Sequence, residues 1–104
     1  MWTMPPVPGV YGRDLTAAEK RKLGLSAKRL AFRQGKYVPN KSRKAGIHGD
    51  DVILSIDHKQ IEMTMLQFNA WVRKNYEVGD RIRFNVIRDG NWIEIPMLLP
   101  DRGR

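Results

Sequence analysis

The sequence contains no cysteine and only two histidines, His48 and His58. The absence of cysteine excludes disulfides, thiolate metal sites and cysteine nucleophiles, and it leaves the redox compartment open. No apolar run reaches the roughly 18 residues of a membrane span, and no charged start precedes an apolar stretch as in a signal peptide. We therefore expect no membrane-spanning segment and no chemistry based on cysteine.

Length and charge bound the class of protein. The 104 residues, 41% hydrophobic and 29% charged, have the size and composition of one soluble globular domain. The net charge of +8 is uneven, because residues 1–45 hold eleven Lys and Arg against two acids, whereas residues 46–104 hold eight against nine. An N-terminal cationic excess attracts acidic partners, which include nucleic acid, anionic lipid and peptide carboxylates.

The N-terminal part predicts a lead-in followed by a short helix. Residues 1–9 carry three prolines without a regular period, which predicts an extended, poorly ordered linker. Thr16 and Glu19 have the spacing of a capping box, which predicts a helix over residues 17–23 that ends at Gly24.

Strand patterns follow on either side of a polar segment. Alternating apolar side chains predict a strand over residues 28–32, which residues 37–38 continue. Residues 39–44 are turn-like, with room for one helical turn. The Val/Ile-rich run at residues 51–57 is typical of a buried strand, and a tight turn then predicts a short return strand at residues 60–61.

The C-terminal half predicts an amphipathic helix and a closing hairpin. A second capping box precedes helical spacing of apolar residues over residues 65–76. Residues 81–88 alternate, and Asp89-Gly90 suits a type I′ turn into a strand over residues 91–99. The apolar faces of all these elements predict the core: Leu30, Phe32, Ile47, Val52, Ile53, Leu54, Ile56, Phe68, Val72, Ile82, Phe84, Val86 and Ile95.

The order of elements indicates an α+β fold, and four ordered motifs resemble the PDZ family. They are AGIHGDDVI at residues 45–53, a strand and turn at residues 54–61, VGD at residues 78–80 and IRDG at residues 87–90. The resemblance is to the circularly permuted bacterial PDZ domains of Deg-type serine proteases, and it covers residues 10–99. It implies a half-open β-barrel of five to six short strands with two main helices.

The resemblance also implies a ligand groove between one strand and the long helix. A peptide would add there as an extra strand, with its carboxylate at backbone N–H groups of the preceding loop. Residues 9–12 correspond to that loop and residues 11–15 to the edge strand, where Arg13 would favour acidic ligands. The helix phase places two further residues at the groove. The predicted peptide-binding residues are Val10, Tyr11, Gly12, Arg13, Leu15, Met65 and Asn69.

One position departs from the family pattern. Asp50 stands where the family has glycine, and Gly49 precedes it. Because Asp tolerates left-handed φ better than most residues, we expect the turn to be kept. Asp51, at the head of the buried strand, is expected to accept backbone N–H bonds.

Enzymatic chemistry and metal binding lack support in the sequence. Ser26, Ser42 and Ser55 lie in no Gly-x-Ser-x-Gly motif, and the chain has no room for a catalytic fold around a triad. We therefore expect no catalytic residue. His48 and His58 flank a strand of about 20 Å, too long for the two to share an ion, so we expect no metal and no other cofactor.

A nucleic-acid-binding module is the alternative function. Residues 20–44 interleave Phe32 and Tyr37 with Lys and Arg, as a nucleic-acid surface can. The competing interpretation is a solvated basic surface with Phe32 in the core. Nucleic acid binding would need cations and aromatics to converge on one sheet face. We favour a peptide or protein C-terminus as the partner, with no small-molecule substrate.

The expected organisation is a lead-in at residues 1–9, a PDZ-like domain at residues 10–99 and a tail at residues 100–104. The resemblance implies a fragment of a larger envelope enzyme, such as a protease, in a periplasmic or other extracytoplasmic location.

Overall fold

The computed structural model describes residues 6, 8–59 and 61–99. The described elements follow in the order β1 (Gly12–Asp14), α1 (Ala17–Lys22), β2 (Phe32–Gln34), α2 (Asn40–Ala45), β3 (Val52–Ile56), α3 (Met65–Asn75), β4 (Arg81–Arg88) and β5 (Asn91–Leu98). The five strands form one antiparallel sheet in the order β1-β2-β3-β4-β5, which is not closed into a barrel. The α+β prediction is confirmed, with α2 as a short third helix.

Each face of the sheet carries a cluster of buried apolar side chains. The larger cluster packs one face against α3 and includes Phe32, Phe68 and Phe84. The smaller cluster joins Leu15 and Leu54 on the opposite face, because neighbouring strand residues point to opposite sides. Every residue predicted for the core is buried. Among the described helices, none combines the length and the apolar character that a membrane crossing requires.

Both predicted capping boxes form. The Glu19 N–H donates to Thr16 Oγ1 at 3.1 Å, and the Thr16 N–H donates to Glu19 Oε1 at 2.9 Å. The same reciprocal bonds join Thr64 and Gln67 at the start of α3, at 3.2 and 2.9 Å. These bonds satisfy N–H groups that the first helical turn leaves without partners. They explain why α1 and α3 begin where the sequence predicts.

The closing hairpin also matches its prediction. Asp89 and Gly90 have φ of +50° and +79°, the left-handed conformations that a type I′ turn requires. β4 and β5 then pair over eight residues each, from Arg88 opposite Asn91 to Arg81 opposite Leu98.

The strand predicted over residues 28–32 is wrong in position, since β2 begins at Phe32. Leu30 is fully buried, but it lies outside a strand and its N–H donates to the Ile61 carbonyl at 2.7 Å. The alternation of apolar residues therefore reflects the burial of Leu30, which takes no part in strand pairing. Ile61 lies in no described strand, and Gln60 falls outside the described residues.

The predicted continuation at residues 37–38 is also wrong, because those residues form no strand. Gln34, the last residue of β2, is buried and directs its Nε2 to the Tyr37 carbonyl at 3.1 Å. The chain turns at this bond and enters α2 after Pro39, which caps the helix without a side-chain hydrogen bond.

The turn before β3 has a left-handed residue at Asp50. Asp50 has φ of +68°, as expected for a tolerated left-handed Asp. The carboxylate of Asp51 accepts the His48 N–H at 2.9 Å, which confirms its expected role. It also binds Arg88 through two bonds of 2.8 Å, and the Arg88 guanidinium reaches the Gly46 carbonyl at 2.7 Å. Hydrogen bonding to Asp51 raises the pKa of Arg88.

Candidate functional site

A groove of about 520 Å³ lies between the loop that precedes β1 and one face of α3. Its lining is mostly apolar, and of the nine described residues that form it one is charged. They are Pro8, Gly9, Val10, Tyr11, Pro39, Leu66, Asn69, Ala70 and Arg73. We call this space the groove below.

The loop at residues 9–12 is held to the domain at several points. Gly9 has φ of +76°, and its carbonyl accepts a hydrogen bond from the buried Ser42 hydroxyl of α2. Val10 is buried in the larger cluster and also lines the groove. The Tyr11 N–H donates to Gln34 Oε1 at 3.1 Å. These anchors fix one wall of the groove.

The backbone of β1 presents alternate residues to the edge that faces away from β2. The Tyr11 carbonyl accepts the Gly35 N–H, and the Leu15 N–H donates to the Ala31 carbonyl, both at 3.0 Å and both on the β2 side. Because successive residues of a strand direct their N–H and carbonyl groups to opposite edges, Gly12 and Asp14 face away from β2. These two residues would pair with an added strand.

Glycine is required at the first residue of β1. A Cβ on Gly12 would lie 1.8 Å from the Arg33 carbonyl oxygen of β2, far inside van der Waals contact. Only a residue without a side chain allows β1 and β2 to approach this closely.

Helix α3 is fixed beside β1 by two contacts. The Gly12 N–H points at the Met65 sulfur, with 3.0 Å between N and Sδ. The Met65 N–H donates to Asp14 Oδ1 at 2.9 Å. The helix then presents Leu66, Asn69, Ala70 and Arg73 to the groove, a spacing that forms one stripe along a helix.

The residues predicted for the site separate into two groups. Val10, Tyr11 and Asn69 line the groove, and Gly12 and Met65 meet beside it. Leu15 is buried in the smaller cluster, and Arg13 is bound to Glu19, so neither side chain lines the groove.

Sequence reasoning placed Gly9 in the predicted loop but missed the other five groove residues. On α3 it assigned the positions next to the core to the groove and missed Leu66, Ala70 and Arg73, although Leu66 is 72% exposed. The signal that could have identified these three residues is their spacing of i, i+4 and i+7, which places them on one stripe of α3. Pro8 and Pro39 are brought in by the tertiary fold and carry no local signal.

Arg13 and Arg73 differ in whether a carboxylate pairs with them in the described part of the chain. Arg13 forms two bonds of 3.2 Å with the Glu19 carboxylate. The hydrogen bond from Arg13, aided by the Thr16 N–H, lowers the pKa of Glu19 to about 2, and the same pair raises the pKa of Arg13. In the described part of the chain, no carboxylate forms an ion pair with Arg73. The positive charge available to the groove is therefore that of Arg73.

The histidines do not come together. The His58 ring contacts Glu94 at 2.6 Å at the far end of β3, and His48 lies on the loop before that strand. Within residues 6, 8–59 and 61–99, no cluster of three His, Asp or Glu has the geometry to hold a metal ion.

The aromatic residues of the basic segment also separate. Phe32 is fully buried in the core, whereas Tyr37 is 68% exposed. The mixed cationic and aromatic surface that nucleic acid binding would need does not form from these two residues.

The fold is a PDZ-like fold: an open antiparallel sheet with a groove between a short edge strand and a helix. No family model and no curated protein matches the chain. Solved structures of the HtrA-type protease AlgW resemble it. A variant with a decapeptide gives a TM-score of 0.78 at 21% identity over 97% of this chain, and a variant with a tripeptide gives 0.72 at 21% over 95%.

A third structure, of AlgW with a decapeptide, gives a TM-score of 0.68 at 22% identity over 97% of this chain. The chain spans only 30%, 32% and 30% of the lengths of these three protease chains. At such low identity the likeness establishes the shared fold and leaves the activity of this chain open.

Proposed function

We propose that this chain is a peptide-binding module that captures the C-terminal or an extended segment of a protein partner by strand addition to β1. The observation that carries the proposal is the groove itself. It lies beside the edge of β1 that no other strand pairs with, and it combines an apolar helix face with one unpaired cation among its described lining residues. The protease structures of the same fold were solved with peptides, which supports the proposal.

The chemistry of the groove indicates the kind of segment that it accepts. Main-chain bonds to Gly12 and Asp14 would supply affinity, and pockets for side chains would supply selectivity. The lining by Pro8, Pro39 and Leu66 suits an apolar terminal side chain. Arg73, at the same groove, offers a charge-assisted hydrogen bond to a terminal carboxylate.

In this proposal the chain has no chemistry of its own. It spans about 30% of the protease chains that it resembles, so we propose that it acts as the interaction part of a larger extracytoplasmic enzyme such as a protease. We assign the module to residues 10–99, with Pro8 and Gly9 of the lead-in completing its groove, and residues 100–104 as a tail. The site comprises Val10, Tyr11, Gly12, Met65 and Asn69 from the sequence prediction, with Leu66, Ala70 and Arg73 added.

Fluorescence anisotropy with a labelled seven-residue peptide ending in leucine tests this function. We expect a micromolar Kd, about −8 kcal/mol, for the free carboxylate. Amidation of the peptide C-terminus or the Arg73→Gln substitution should weaken binding about tenfold, or about 1.4 kcal/mol. The matched control is Lys74→Gln, which removes a neighbouring exposed charge of α3 that does not line the groove.

Three outcomes would contradict the proposal. One is equal affinity for the acid and the amide, and another is equal loss in the Arg73 and Lys74 variants. The third is binding of a short oligonucleotide in preference to every peptide, which would assign the function to the basic surface.

A further inference from the structure

The edge of β1 that would receive a peptide is already in contact with α3. The Gly12 N–H donates to the Met65 sulfur, with 3.0 Å between N and Sδ, and Met65 follows Gly12 by 53 positions in the sequence. We propose that the Met65 side chain is a gate that closes this edge in the free protein and is displaced by the main chain of a bound peptide. The inference rests on the proposed peptide-binding function and extends it to how the site selects its ligands.

The thioether of Met65 is suited to such an exchange. Its sulfur is a weak hydrogen-bond acceptor, whereas a peptide carbonyl or carboxylate oxygen is a strong one. The Gly12 N–H therefore gains a better partner when a ligand oxygen replaces the sulfur. Met65 is partly buried at the border of the larger cluster, and its unbranched side chain has several rotatable bonds through which it can adopt another rotamer.

Asp14 keeps the gate in place while the side chain moves. Its carboxylate accepts the Met65 N–H at 2.9 Å, one of the donors that the first turn of α3 leaves without a helical partner. A negative charge at this end of the helix is also favourable to the helix dipole. Because the Met65 backbone is bound to β1, opening needs rotation of one side chain and no movement of the helix.

The gate makes the site selective for ligand length. A ligand as small as one residue with a free carboxylate can occupy the groove beside Leu66 and Arg73, since Met65 does not line that space. A longer peptide must also pair with Gly12 and Asp14, and it meets Met65 there. Short and long ligands should therefore respond differently to changes at Met65.

The test compares two ligands on three variants. N-acetyl-leucine reports the groove alone, and the seven-residue peptide ending in leucine reports the groove with the β1 edge. Met65→Leu keeps the bulk and removes the acceptor, and Met65→Ala removes both. Met63→Leu is the matched control, because Met63 packs against the core and has no contact with Gly12 among the described hydrogen bonds.

We expect Met65→Ala to increase peptide affinity several-fold, Met65→Leu to increase it less, and the affinity for N-acetyl-leucine to stay unchanged. In the ligand-free protein, amide exchange of Gly12 should become faster in both Met65 variants and stay unchanged in Met63→Leu. Equal changes for the two ligands, or unchanged exchange at Gly12, would overturn the gate while leaving peptide binding intact. If the wild-type protein does not bind the peptide, both the proposed function and the gate are overturned.

Discussion

The two edges of the sheet are held by different lengths of strand pairing. At the hairpin edge β5 pairs with β4 over eight residues, and the β5 groups that face β4 exchange N–H and carbonyl bonds in a continuous ladder. β1 is three residues long, and side chains complete the bonding around it: Gln34 binds the Tyr11 N–H and Met65 binds the Gly12 N–H. A ladder exchanges partners only by unfolding, whereas a side chain can rotate away. The hairpin edge therefore provides stability, and the β1 edge is suited to binding.

The same contrast separates the two arginine–carboxylate pairs. Asp51 is 1% exposed and its pair with Arg88 links the β3 start to the end of β4. Glu19 and Arg13 lie at the surface near β1, with a third and about 60% of their side chains exposed. Water screens the second pair, so it contributes less to folding than the first.

The largest expected difference in stability comes from truncating one apolar side chain in the hairpin and one in the groove. Phe84→Ala empties a fully buried position in β4 and should lower the free energy of unfolding by about 3–5 kcal/mol. Leu66→Ala removes a mostly exposed groove residue and should change it by less than about 0.5 kcal/mol. Urea unfolding measures both. Equal losses would show that the groove face is part of the stabilising core.

The second difference concerns the buried pair. Asp51→Ala leaves the Arg88 guanidinium without its carboxylate and the His48 N–H without its acceptor. We expect a loss of about 3 kcal/mol, the lower end of the range for a broken buried pair, because 27% of the Arg88 side chain remains exposed. Asp51→Asn retains an acceptor oxygen and should lose less. Thermal unfolding of both variants decides the order, and a larger loss for Asn would contradict it.

The hairpin edge could be predicted from the sequence because its signals are local. Alternation over residues 81–88 and the Asp89-Gly90 turn each lie within a few residues, and no distant contact is needed to interpret them. The helix starts were predictable for the same reason, since Thr16 and Glu19 determine the first one between them. Local chemistry thus fixed most of the scaffold.

The groove edge could be predicted only in part. The helix phase identified Met65 and Asn69, but the Gly12–Met65 and Met65–Asp14 contacts join residues 53 and 51 positions apart, which no local pattern encodes. The predicted position of β2 was wrong for a related reason. Distant chain segments bury Leu30, and an apolar residue buried in this way produces the same alternation as a strand. Arg73 was missed because one helix face was assigned to the core and only its borders to the groove.

The smallest expected effect is the pH response of the exposed pair, which also tests whether Arg13 belongs to the site. The Arg13 hydrogen bond lowers the pKa of Glu19 from an ordinary 4.5 to about 2. A depressed carboxyl pKa stabilises the folded state above pH 4.5, and this contribution is lost as pH falls from 4.5 toward about 2. Arg13→Gln should raise the pKa of Glu19 in an NMR titration, with Arg21→Gln on the same helix as the control. Because Arg13 is already bound to Glu19 outside the groove, Arg13→Gln should leave the Kd for the seven-residue peptide unchanged. A higher Kd in this variant would show that Arg13 contributes to peptide binding.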